Sequence, residues 1–151
     1  MGTLKDVLTT DMRAALKARD EMTTSTLRMA LAAIGNAEVA GKEKRELTDD
    51  EVLAVLTREA KKRREAATAF ADAGRAEQAA KETAEGEVID RYLPKQLSDE
   101  ELSGLVSEAL ASGAFSGKAQ MGPAMKAAQA AVAGRAEGGR VAAEVRRQLG
   151  V

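Results

Sequence analysis

The chain has 151 residues, a net charge of −1, no cysteine, no histidine and only 2% aromatic residues. These absences exclude disulfides, thiolate nucleophiles, thiolate or imidazole metal ligands and imidazole general bases. Alanine, leucine, glutamate, lysine and arginine dominate, a composition that loses little side-chain freedom in helices. Phe70, Phe115 and Tyr92 supply the only rings, so the expected core is thin helix-on-helix packing of small and branched aliphatic side chains.

Apolar spacing predicts a first helix from about Thr3 to Ala18, with Leu4, Val7, Leu8, Met12, Ala15 and Leu16 on its buried face. No apolar run follows Met1 and no stretch approaches the ~20 residues that span a bilayer, so a cytoplasmic, membrane-free location is expected. A second helix is predicted from about Met22 to Ala40, its stripe formed by Leu27, Ala30, Leu31, Ile34 and Ala37. After a charged link, Thr48-Asp49-Asp50-Glu51 reads as a capping box. It opens a third helix that runs to about Ala73, with Gly74 as a left-handed stop. A fourth helix, about Arg75 to Leu93, contains Gly86, which weakens it by about 1 kcal/mol relative to alanine.

Pro94 ends that helix, and Ser98-Asp99-Glu100-Glu101 is another capping box. The expected fold class is therefore all-α, with a bundle of about four helices over residues 1–93 and a three-helix domain over residues 98–151. The helices of the latter are predicted from Asp99 to Ala111 with a stop at Gly113, from near Lys118–Met121 to Ala133, and from Gly139 to Leu149.

Two features carry chemistry. On the third helix, Glu59 and Arg63 fall four residues apart inside the apolar stripe of Val52, Leu56, Ala66, Ala67 and Phe70. The pair reads either as a polar site between helices or as a structural network joined by Glu38 or Glu85. The neighbouring run Lys61-Lys62-Arg63-Arg64 points to different sides of a helix and reads as a solvated face. Charge is also uneven along the chain: residues 114–151 carry +4, leaving −5 for the rest. Lys118, Lys126, Arg135, Arg140, Arg146 and Arg147 supply that excess, which suits a polyanion.

The tail also contains Met121, Gly122 and Met125, then Gly134, Arg135, Ala136 and Gly138. Upstream stand Thr26-Leu27-Arg28-Met29, Glu59, Lys61, Arg63, Ala73-Gly74-Arg75, Glu85 and Tyr92-Leu93-Pro94. In this order the residues resemble the GatB/YqeY family, which comprises stand-alone YqeY proteins and the C-terminal domain of the GatB subunit of aminoacyl-tRNA amidotransferase. The resemblance covers nearly the whole chain. It implies a helical bundle joined to a small helical domain that contacts tRNA in GatB, and a family label of carbon–nitrogen ligase with glutamine as amido donor. Glu137 stands where the family usually has aspartate, and its longer side chain is expected to cap less well. Pro123 and Ala133 stand where lysines are common.

No phosphate-cradling loop and no nucleophile–base pair is present in the sequence. The expectation is a non-catalytic tRNA-binding accessory protein with no cofactor and no metal, whose partners are tRNA and an aminoacyl-tRNA amidotransferase or synthetase. The alternative is a helical protein–protein interaction module with no nucleic-acid role.

Overall fold

A computed structural model describes residues 2–151. Seven α-helices follow one another: α1 (Leu4–Lys17), α2 (Glu21–Glu38), α3 (Asp49–Asp72), α4 (Ala76–Asp90), α5 (Asp99–Ser112), α6 (Met121–Val132) and α7 (Gly138–Leu149). A single 3₁₀ turn, Lys118–Gln120, precedes α6. No strand occurs among the described residues, and the fold is all-α. The chain divides into two compact units, one ending at Leu93 and one running from Pro94 to Val151.

Local chemistry sets most helix starts. Thr3, Thr48 and Ser98 each accept a hydrogen bond from the backbone N–H three residues on, and the side chains of Asp6, Glu51 and Glu101 reciprocate. Arg45 adds a two-pronged contact to Glu51, and together with the Thr48 N–H it holds that carboxyl down at about 2.

The first unit packs its four helices around Leu8, Leu27, Ala30, Ile34, Val52, Val55, Leu56, Ala60, Val88 and Ile89. The extended stripe predicted for α1 is narrower than expected. Leu8 and Ala15 are buried, but Val7 and Leu16 are 43% and 52% exposed. On α3, burial is concentrated in the first half, and Ala66, Ala67 and Phe70 are only half-buried. The fourth helix stops at Asp90 rather than Leu93. Tyr92 and Leu93 then fold back onto the first core, and the Tyr92 hydroxyl donates to Asp11 Oδ2 at 2.7 Å. Burial, and next that hydrogen bond, push the phenol well above its usual range.

Gly86 lies buried against the Arg63 Cβ, 3.5 Å from where its own Cβ would sit. That spacing is an ordinary van der Waals contact, so a small side chain would also fit, and these two helices form the most extensive helix pair of the unit.

In the second unit, α5, α6 and α7 bury Leu97, Leu102, Val106, Leu110, Ala124, Ala128, Val132, Ala136, Val141 and Val145. Pro94 to Leu97, expected as a linker, belongs to this unit. The Leu97 N–H donates to the Arg135 carbonyl at 2.7 Å, and the Gln96 amide donates to the Gly134 carbonyl at 3.4 Å.

Helix ends follow one scheme with different residues. After α3, Gly74 takes φ +76° as predicted, and the Arg75 N–H reaches back to the Phe70 carbonyl at 2.8 Å. After α1 the same left-handed position is filled by Arg19, at φ +58°, with Asp20 N–H on the Ala15 carbonyl at 2.9 Å. An L-residue costs about 1–2 kcal/mol there. After α5 the predicted stop, Gly113, is right-handed at φ −89°, and Ala114 carries the positive φ of 52°. Gly113 is required for another reason, because the Phe115 ring lies 2.1 Å from where a Cβ would be.

Candidate functional site

The six tail cations do not form one free basic surface. Arg135 turns onto the end of α6, where its Nε donates to the Val132 carbonyl at 3.0 Å and its Nη2 to the Ala131 carbonyl at 3.1 Å. A guanidinium there satisfies helix-end carbonyls, the Val132 one also accepting from the Arg135 backbone N–H at 3.1 Å, and complements the negative end of the helix dipole. Arg140 spans from α7 to the start of α5, donating to the Leu97 carbonyl at 3.0 Å and to Asp99 Oδ1 at 2.9 Å. Arg147 grips Glu144 and reaches Ser103 Oγ at 3.3 Å. That grip holds the Glu144 carboxyl at about 2.

Lys118, Lys126 and Arg146 remain. All three are exposed and make no hydrogen bond or ion pair among the described residues. Lys118 sits in the 3₁₀ turn, Lys126 on the outer face of α6, and Arg146 near the end of α7.

Most of the tail motif has an evident structural task. Met121 opens α6 and Met125 packs on the second core. Gly134 takes φ +78°, Ala136 is buried, and Gly138 starts α7. Gly122 differs: it is exposed, and a Cβ there would touch nothing within 4 Å. Glu137 does act as an N-cap, since its side chain accepts from the Gly139 N–H at 3.0 Å. Gly139 is the second residue of α7, one of the two positions an N-cap side chain normally serves.

In the first unit the expected Glu59–Arg63 pair does not form. Glu59 instead pairs with Lys62 at 3.2 Å, one turn along its own helix. Arg63 lies over Gly86 and meets Glu82 and Glu85 of α4, each at 3.4 Å. Its Nη2 also lies 3.2 Å from Met29 Sδ on α2. Glu85, one of the two acids expected nearby, is therefore part of the cluster. Glu38, the other, is buried elsewhere and accepts from Lys5 Nζ at 2.7 Å, which holds its carboxyl below the usual range. Glu38 Oε2 and Arg63 Nε are buried without a hydrogen-bond partner. Two acids of α4 around one arginine of α3, with the Met29 sulfur of α2 against the same guanidinium, tie three helices together, which is the structural-network reading. The basic run on α3 disperses as expected, with Lys61 near Glu65 and Arg64 near Asp90.

Among the described residues no group of three or more acidic side chains could hold a metal ion, and no helix is long and apolar enough to cross a membrane.

Comparison with known proteins adds the family. No curated protein matches the chain. A family model described as Yqey-like protein matches residues 5–149, which takes in both units and every helix but the first residue of α1. The chain thus belongs to the Yqey-like protein family.

Proposed function

We propose that this protein is a non-catalytic accessory factor that binds tRNA, as its kinship with the GatB tail domain implies. The observation that carries the reading is the set of unpaired cations on the second unit, Lys118, Lys126 and Arg146, within a chain of the Yqey-like family. Phosphate contacts favour cations with free donors; Arg140 and Arg147 are paired with carboxylates, and Arg135 keeps its charge but spends its Nε and one Nη2 donor on helix-end carbonyls. The carbon–nitrogen ligase label of the family is not matched by chemistry available to this chain alone. It has neither cysteine nor histidine, and no sequence motif that would cradle ATP phosphates.

The test is a salt titration of binding between the full-length protein and total tRNA. Affinity should fall steeply with salt, and Lys118→Gln/Lys126→Gln should lower the slope of log K against log salt by roughly 2. Absence of binding at low salt would favour a protein-interaction module. Turnover of glutamine by the isolated chain would overturn the non-catalytic reading.

A further inference from the structure

We infer that the first unit carries its own phosphate-contacting corner, where α1 turns into α2, and that it engages the RNA backbone. The inference rests on the RNA-binding reading but on a different set of residues. Leu16 and Arg19 from the end of α1 face Glu21, Thr24, Ser25 and Arg28 of α2 across one surface groove. The four α2 residues follow i, i+3, i+4, i+7 spacing and so share one face of the helix.

Three observations converge on an anion. First, Arg19 and Arg28 are exposed and neither makes a hydrogen bond or ion pair, not even with Glu21 in the same groove. The other nearby acid, Asp20, is occupied as the α2 N-cap, accepting from the Thr23 N–H at 3.1 Å. Second, Arg13 and Lys17 stand on α1 beside Leu16, exposed and equally without partners. The groove thus holds two unpaired arginines, with two further unpaired bases on the helix that leads into it. Third, Arg19 occupies the left-handed position after α1 that glycine fills after α3. Alanine fills the same kind of position after α5, so a non-glycine residue is tolerated there, and at this end that residue brings a guanidinium to the groove.

Two guanidinium forks beside the unbonded Ser25 hydroxyl suit the oxygens of a phosphodiester, each fork donating two parallel N–H bonds. The exposed Leu16 in the same groove offers an apolar surface for the sugar. Ser25 adds an exposed hydroxyl, while Thr24 is buried beneath it with its proton given to the Asp20 carbonyl at 2.7 Å.

The decisive variant is Arg19→Gly in the full-length protein, compared with Arg28→Gln and the double variant. Arg19→Gly should raise the melting temperature by relieving the left-handed strain, yet lower the salt slope of tRNA binding by roughly 1. The double variant should lower it by roughly 2. Gain of stability with loss of binding cannot come from misfolding. If wild type binds, Lys118→Gln/Lys126→Gln lowers the slope and Arg19→Gly/Arg28→Gln does not, the corner is no phosphate site while the tail reading stands. If wild type fails to bind tRNA at low salt, both fall together.

Discussion

Replacing Arg63 by methionine keeps the aliphatic stem that packs against Gly86 and removes only the charge. Glu85 is left 6% exposed and Glu82 18% exposed, with no cation within contact range except the distant Lys81 ammonium, 4.0 Å from Glu85. Stranding a fully buried carboxylate costs about 3–5 kcal/mol. Arg63 itself is 17% exposed and its two contacts are long, at 3.4 Å, so solvent screening reduces this to about 2 kcal/mol. The assay is urea unfolding followed by tyrosine fluorescence. Tyr92 is the only tyrosine, there is no tryptophan, and the ring belongs to the first unit. The signal therefore reports the affected unit alone, as the Tyr92 hydroxyl leaves Asp11 on unfolding. With a slope of about 1–1.5 kcal/mol per molar urea, the midpoint should fall by roughly 1.5 M. Arg63→Met/Glu85→Leu should recover most of the loss, because an apolar pair replaces the ionic one. A cost of a few tenths for Arg63→Met, or a double variant that is worse than the single one, would refute the assignment of the cluster.

Gly113→Ala should destabilise the second unit by about 1–3 kcal/mol, since the Phe115 ring must leave its place, and Ala114→Gly should stabilise it by up to about 1 kcal/mol. Thermal unfolding by circular dichroism separates the two outcomes, and equal effects would contradict the geometry at this helix end. Acid should weaken both units between about pH 4.5 and 2. Glu51 and Glu144 have folded values of about 2 against an ordinary 4.5, so the unfolded chain takes up protons first and the stability they confer is lost as pH falls. Glu51→Gln/Glu144→Gln should flatten the melting temperature across that window, and an unchanged pH profile would count against both ion pairs.

The helices were legible because their signals are local. Thr48 with Glu51 and Ser98 with Glu101 announce their caps within four residues, and the helices begin where those motifs place them. Face assignment was less secure. On a 14-residue helix the apolar arc of α1 is wider than the arc its neighbours cover, so Val7 and Leu16 read as core and lie exposed. The partner of Arg63 depends on α4, 19 or more positions away. Sequence spacing favoured Glu59 because it could see only one helix. Counting tail cations similarly measured charge but not its commitments. Arg135 directly follows Gly134 at the end of α6, where a cation commonly meets unpaired carbonyls, and that signal was available without coordinates.

The capping boxes also bear on how the chain acquires its shape. Each forms from residues three apart, and the main helix pairings join sequence neighbours: α1 with α2, α3 with α4, α5 with α6, α6 with α7. Few distant segments must find each other before stabilising contacts appear, which favours rapid folding. The first unit needs nothing beyond Leu93 for its core, so it can close while the tail is still being synthesised. A body that closed first would expose Arg19 and Arg28 to solvent before the second unit's cations exist.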